Sequence, residues 1–304
     1  MTDDGVARAI AILRRGGVVA IPTETVYGLA ADLENPDAIA RVYAIKGRPV
    51  DHPLIVHAHE LAALSRYVAA VPASLAVLAR HFWPGPLTAI VDRGERTPHT
   101  VTGGQDTVAV RVPDHPLALA ILAGFGGPLA APSANRFGRV SPTTAQHVRD
   151  DLGDAVELIV DGGSARIGVE STIVDLTSAV PAVLRAGVIT PSQLSAALGE
   201  AVVERTGGPV RAPGALPAHY APRARLELVD EAVRASEVER HRARGERVGL
   251  LVLPNDSAIA ARTLYATLRA LDADGYDTIL ATLPPASEAA AAVRDRLTRA
   301  AAGA

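Results

Sequence analysis

The chain has 304 residues, is 48% hydrophobic, 21% charged and 3% aromatic, and carries 26 Gly, 22 Pro, no Cys and a formal net charge of -3. That apolar share excludes a disordered chain, and the missing cysteines exclude a disulfide scaffold or a thiolate zinc site. The near-neutral balance argues against a protein that coats DNA while leaving room for a local basic groove.

The length suggests two domains. Residues 6–15 follow a helical pattern that Gly16-Gly17 ends, and 18–21 is a short apolar run closed by Pro22, read as a buried strand. Similar runs recur at 53–57, 87–92, 107–112, 128–131, 157–161, 172–176 and 182–184. Helical patterns fall at 37–45, 60–69, 73–81, 115–123, 143–151 and 191–198. Strands that are not all separated by helices predict a mixed α/β sheet rather than strict βαβ alternation. One mixed α/β domain is therefore expected over 1–204, and the Pro/Gly-rich stretch 205–223 reads as a linker. Beyond it, over 224–304, strands at 248–253 and 278–281 and helices at 257–271 and 286–301 make a small βαβα domain. Between 220 and 304 there are 12 Arg against 12 Asp plus Glu, so this part has no bulk basic character. No apolar run reaches the ~18 residues of a membrane span, and residues 1–17 lack a signal peptide's order of segments, so a soluble cytoplasmic protein is expected.

The usual phosphate-binding glycine motifs, the His-Glu-x-x-His metal motif and the Gly-x-Ser-x-Gly nucleophile turn do not occur. Four polar clusters at strand ends remain. Thr23, Glu24, Thr25 and Tyr27 follow the first strand and suit either a polar ligand or a turn capped into a helix. Lys46-Gly47-Arg48-Pro49 contains the single lysine among 30 basic residues. Gly47 would let backbone approach an anion, Arg48 offers a planar fork and Lys46 a point charge; a helix C-terminus complementing its dipole is the alternative. His57 ends an apolar strand as a core histidine or a ligand group. Thr107, Ala109 and Arg111 share a strand face, and Arg111 must reach a substrate anion or an internal acid. Finally, Ser133, Asn135 and Ser141 lie on a small-residue loop, where Ser141-Pro142 also reads as a helix start. Further on, Gly168-Val169-Glu170-Ser171-Thr172 precedes one strand and Arg185-Ala186-Gly187 ends the next.

Pro-Thr-Glu-Thr-Val-Tyr-Gly, Lys-x-Arg-Pro, Pro-Ser-Ala-Asn, Glu-Ser-Thr-Ile-Val-Asp and Leu-Arg-Ala-Gly occur in that order. Together they make the chain resemble the YrdC-like family of L-threonylcarbamoyladenylate synthases over about residues 5–195. The His219-Tyr220-Ala221-Pro222 segment and the appended domain are similar to its two-domain form, although Ala218 stands where a basic residue is usual. The resemblance implies a YrdC-like twisted mixed sheet with flanking helices and a small C-terminal Rossmann-like α/β domain. It implies an enzyme that joins L-threonine, bicarbonate and ATP into L-threonylcarbamoyl-AMP and pyrophosphate, with Mg²⁺ held mainly by the ATP phosphates. A threonylcarbamoyl-transferase complex would then modify an adenosine beside the tRNA anticodon, with room for a weak direct tRNA contact.

Position by position, the resemblance carries threonine binding to Thr25, His57, Arg111, Ala131 and Ser171. It carries nucleotide contacts to Arg48, His52, Thr107, Ser133, Ser141 and Arg185. Lys46 and Arg48 take the catalytic places beside the phosphates, His52 stands where Asn is frequent, and Tyr220 becomes a lid. A non-catalytic RNA-binding module is the alternative class, and carbamoyl transfer in hydrogenase maturation is a third; the latter's chains are much longer and carry zinc-binding segments.

Overall fold

The computed structural model describes residues 3–205, 212–214 and 218–303. In chain order the first part holds α1 (Asp3–Arg14), β1 (Val19–Ile21), β2 (Gly28–Asp32), α2 (Pro36–Lys46), β3 (Ile55–His57), α3 (Ala73–Phe82) and β4 (Leu87–Asp92). There follow α4 (His99–Thr102), β5 (Thr107–Arg111), α5 (Pro116–Phe125), β6 (Leu129–Ala130), α6 (Ala145–Leu152), β7 (Leu158–Ile159), β8 (Thr172–Asp175), β9 (Ala182–Arg185), α7 (Pro191–Leu198) and β10 (Val203–Glu204). The second part holds β11 (Arg225–Leu228), α8 (Arg234–Ala243), β12 (Val248–Leu251), α9 (Ser257–Ala273), β13 (Thr278–Ala281) and α10 (Ala291–Ala302).

Helix limits follow local chemistry. At the start of α2, the Asn35 side chain accepts from the backbone N–H groups of Asp37 and Ala38, and Pro36 follows as the first helical residue. At its end Gly47 adopts φ 63°, a left-handed cap that stops the helix at Lys46. Among the described residues the ten strands form one mixed sheet in the order β10-β9-β8-β4-β5-β3-β6-β2-β1-β7. Alternation sends Val18 and Ala20 to a core shared with Ile39, Leu75, Val148 and Leu194 of α2, α3, α6 and α7. Val19 and Ile21 face the other way, against Leu13 of α1 and Ile121 of α5. Towards the centre of that second face, Ile55, Ile90, Ala109 and Ile173 cluster instead with Ala212. The sheet is thus covered by helices on one side and, at its middle, by chain leaving the first domain on the other.

Three expectations change. The loop 23–27 does not run into a helix: it turns from β1 into the antiparallel β2, with Ile21 opposite Gly28. Residues 60–69 form only the short 3₁₀ turn Ala62–Leu64. The carbonyl of Tyr67 there accepts from Gly94 N–H and from Thr97 Oγ1, and Val68 bridges to Arg93, so tertiary bonds replace the helical ladder. The small domain has three strand–helix pairs rather than two, in a parallel sheet β11-β13-β12. Its first strand, Arg-Leu-Glu-Leu, and the polar α8, which buries only Val238 and His241, carry little apolar signal. The predicted linker 205–223 includes residues 206–211 and 215–217, which lie outside the described residues.

The second core is continuous across the two parts. Val26, Val140 and Val169 of the first pack with Tyr220 and with Leu264, Leu268, Ile279 and Leu297 of the second. Arg269 of α9 reaches back to both carboxylate oxygens of Asp151 and to the Val140 and Ser141 carbonyls. Leu264→Ala is therefore expected to cost roughly 2–5 kcal/mol. Calorimetry should show one transition shifted down as a whole; early melting of the small domain alone would contradict a shared core.

Candidate active site

Strand ends and loops converge on one rim of the sheet. His57 ends β3 beside Arg111, which ends β5, in parallel register. Arg185 ends β9 opposite Ile173, just inside β8 from Ser171. Ala131-Pro132-Ser133 leaves β6, and Thr23 to Val26 connects β1 with β2. Between these segments lies a cleft-like cavity partly open to solvent, roofed by Pro213, Gly214, His219 and Tyr220.

Of the residues predicted from the sequence, Thr25, Arg48, His57, Arg111, Ala131, Ser133, Ser171, Arg185 and Tyr220 all line this cavity. Four do not. Lys46 is buried behind the wall, where its Nζ donates to the carbonyls of Ser133 and Asn135 at 2.5 and 2.7 Å. Ser141 also lies behind it and donates to Glu170 at 2.6 Å. His52 packs edge-on against Phe137, 5.4 Å between ring centroids. Thr107 begins β5, and at ~3.3 Å per residue it stands roughly 13 Å along the strand from Arg111. Sharing a strand face did not bring it to the site; strand length took it away.

The cations are fixed by backbone carbonyls. Arg48 donates from Nε to His52 O at 3.2 Å and from Nη2 to Pro53 O at 2.8 Å, and its guanidinium lies 5.4 Å from the Phe137 ring centre. Arg185 donates to Ser171 O from Nε and Nη2, to Ser171 Oγ, and from Nη1 to Pro213 O at 2.9 Å. Burial disfavours these charges: it brings Arg48 down to about 10 and lowers Arg185, and it lowers Lys46 well below the usual lysine value, helped by Arg48. Gly47 has the left-handed φ that allows Lys46 and Arg48, on either side of it, to turn to different partners.

Arg111 resolves the choice left open above, because it meets an internal acid and lines the cavity as well. Its Nη2 donates to Glu24 Oε1 at 2.6 Å and its Nε to Gly85 O at 3.2 Å. Nη1 and the second proton of Nη2 remain for an end-on approach by an anion. His57 shares its Nδ1 with Ile55 O at 3.2 Å, so Nδ1 carries the proton and Nε2 is left as an acceptor. Burial, followed by the nearby Arg111 charge, pushes its pKa down to about 3. The ring is neutral at pH 7 and accepts a hydrogen bond; it is too weak a base to hold a proton there. Thr23 and Thr25 share a 2.9 Å hydroxyl bond at the β1–β2 turn.

Nine of the described lining residues lay outside the predicted set, two of them ionisable, Glu170 and His219. Glu170 sits between the cavity and the second domain, its oxygens accepting from Ser141, Tyr265 and Arg296. Burial alone would raise its pKa, but Arg296, Arg185 and these hydrogen bonds hold it at about 2. Among the described residues His219 has a buried Nδ1 without a hydrogen-bond partner, and burial pushes its pKa down to about 3. A polar residue in the motif beside Ser171 and a histidine beside Tyr220 were the available signals. Tyr220 itself has φ 63°, a left-handed conformation costing roughly 1–3 kcal/mol in a bulky residue. A Cβ on Gly214, which has φ +74°, would come within 2.3 Å of the Tyr220 hydroxyl, so glycine is what admits the ring.

Comparison with known proteins gives consistent matches. The Sua5/YciO/YrdC family model, described as "Telomere recombination", matches residues 11–187, and a model described as "Threonylcarbamoyl-AMP synthase, C-terminal domain" matches 189–302. A Bacillus subtilis protein named threonylcarbamoyl-AMP synthase is 38% identical, over 99% of this chain and 94% of its own. A Pyrococcus abyssi protein of the same name is also 38% identical, over 96% and 92%. The crystal structure of P. abyssi Sua5 complexed with L-threonine superposes with a TM-score of 0.92 at 37% identity, covering 98% of this chain and 94% of that one.

The histidines give a pH test. The unfolded chain takes up protons at His57 and His219 below pH 6.5, whereas the folded chain does so only near 3. Stability is thus full above pH 6.5 and falls as pH drops towards 3, by up to about 1.4 kcal/mol per pH unit for each histidine. Denaturant titrations should show a shallower acid slope in His57→Gln; a slope equal to the wild type's would mean that His57 is not buried neutral.

Proposed function

The chain belongs to the Sua5/YciO/YrdC family, and from that premise we propose that its cavity makes threonylcarbamoyl-AMP from L-threonine, bicarbonate and ATP. The observation that carries this reading is a roofed cleft in which Arg48, Arg111 and Arg185 meet hydroxyl groups and a neutral histidine acceptor. Tyr220 and Gly214 roof it, which suits small molecules rather than an open groove for a nucleic-acid strand.

The roles divide by chemistry. The free end of Arg111 receives the threonine carboxylate, and His57 Nε2 with the Thr25 and Ser171 hydroxyls orients the rest of the amino acid. The amine and bicarbonate form a carbamate with loss of water. A carbamate oxygen then bonds to the α-phosphorus of ATP as the bond to the bridging oxygen breaks, and pyrophosphate leaves. Charge builds on phosphate oxygens, so catalysis consists of positioning and electrostatic stabilisation by Arg48 and Arg185, with Ser133 alongside. Lys46 acts one step back, tying the Ser133–Asn135 turn to the end of α2. Tyr220 and His219 close over the nucleotide and keep water from a hydrolysable product. Mg²⁺ enters with ATP as part of the substrate. The one lining carboxylate is already engaged by Arg296, Tyr265 and Ser141, so the donors left are suited to phosphate oxygens rather than to a cation. The product serves tRNA threonylcarbamoylation by a partner transferase in the cytoplasm. No helix among the described residues is long and apolar enough to cross a membrane.

Pyrophosphate release should require threonine, bicarbonate and ATP together; release that ignores omission of threonine would overturn the reading. Arg111→Lys keeps a cation beside Glu24 but loses the fork. It should weaken threonine binding roughly tenfold or more by calorimetry with little change for ATP, and equal weakening of both would contradict the carboxylate assignment.

A further inference from the structure

The substrate roles leave one buried ionic cluster unexplained. Arg296, on the last helix, is 1% exposed and lies outside the cavity lining, yet it touches two of the groups that shape the cavity. Its Nε donates to Glu170 Oε2 at 2.8 Å, where Tyr265 also donates at 2.8 Å. Its guanidinium carbon stands 5.0 Å from the centre of the Tyr220 ring. Tyr265 stacks on the same ring at 5.8 Å and 28°. Glu170 directly precedes Ser171, whose carbonyl and hydroxyl fix Arg185. Around this point the roof is sewn to both parts of the chain: Ala221 N–H donates to Gly138 O at 2.9 Å and His219 N–H to Arg299 O at 3.2 Å.

We propose that Arg296 is a positioning residue for the adenylation step, donating to Glu170 from Nε and setting its charge over the Tyr220 ring, so that the last helix sets the nucleotide side of the cavity. The proposal rests on the reading of the cavity given above. The geometry separates the two substrates. Arg296 acts on Tyr220 and, through Glu170 and the Ser171 carbonyl, on Arg185, both on the nucleotide side; the Ser171 hydroxyl, which orients the amino acid, is also bonded to Thr88 of the first domain at 2.7 Å. Arg111, with Glu24 and Gly85, is held within the first domain. Arginine is needed because one group must donate to Glu170 from Nε and hold delocalised charge over the Tyr220 ring, which a compact lysine ammonium does not do at once. An ion pair serving only to join the domains would need the charge alone.

The test is Arg296→Lys in the full chain, which keeps a cation next to the buried carboxylate. Pyrophosphate release, threonine Kd and Tm are measured alongside wild type. The expected result is a threonine Kd within about twofold of wild type, a fall of roughly tenfold in kcat/KM for ATP, and more AMP per pyrophosphate from hydrolysed product. The loss should also be non-multiplicative with Tyr220→Leu, because both changes break the same contact. ATP kinetics unchanged in folded Arg296→Lys, or losses that multiply, would overturn the proposal. If Arg296→Lys does not fold, Tyr265→Phe removes one hydrogen bond to Glu170 and keeps the ring. A smaller ATP-specific loss is then expected, and unchanged ATP kinetics would overturn the proposal equally. Wild-type protein that releases no pyrophosphate would instead remove the reading on which the proposal rests.

Discussion

The site depends on cations withdrawn from water and held by backbone carbonyl oxygens. Arg48, Arg185 and Lys46 are all buried, and each is bound by backbone acceptors rather than by mobile acids. Burying a charge is costly unless it is hydrogen-bonded, and here the bonds come from loops at strand ends that the sheet already fixes. The benefit is electrostatic. Guanidinium groups in a low-dielectric wall, aimed before the substrate arrives, need little rearrangement when negative charge develops. Arg111 is the exception, since it is paired with an acid, Glu24.

That constraint explains the division of the molecule. The mixed sheet brings the ends of β3, β5, β6 and β9 to one rim, and among the described residues the cluster of Ile55, Ala109 and Ile173 on its second face is joined by Ala212 and by no helix residue. The chain beyond the first domain thus packs on this cluster. Tyr220, in a left-handed conformation, is wedged between His219 at 4.1 Å, Tyr265 and Arg296. The second domain is therefore packed into the site's wall through Glu170 and does not hang beside it, consistent with a second core whose members come from both parts.

Much of this was legible in the sequence because it is local. Apolar runs marked most strands, Gly47 marked the end of α2, and the order of short polar motifs pointed to residues that do line one cavity. The signal failed where distance in space decided. Glu170 meets Tyr265 and Arg296 across sequence separations of 95 and 126 residues, and no periodicity announces such a partner. Thr107 shares a strand face with Arg111 but not a strand end. Lys46 stands two residues from Arg48 and still points behind the wall, because the left-handed Gly47 parts them. The Gly28–Asp32 strand was hidden by its small residues, which pair by backbone alone and carry no β-branched pattern.

A crystal structure with L-threonine and a non-hydrolysable ATP analogue would test most directly whether the cations are fixed in advance. The account predicts that Arg48 keeps its bond to Pro53 O and Arg185 keeps those to Ser171 O, while their remaining N–H groups meet phosphate oxygens. Guanidinium groups that leave these carbonyls to reach the nucleotide would contradict it.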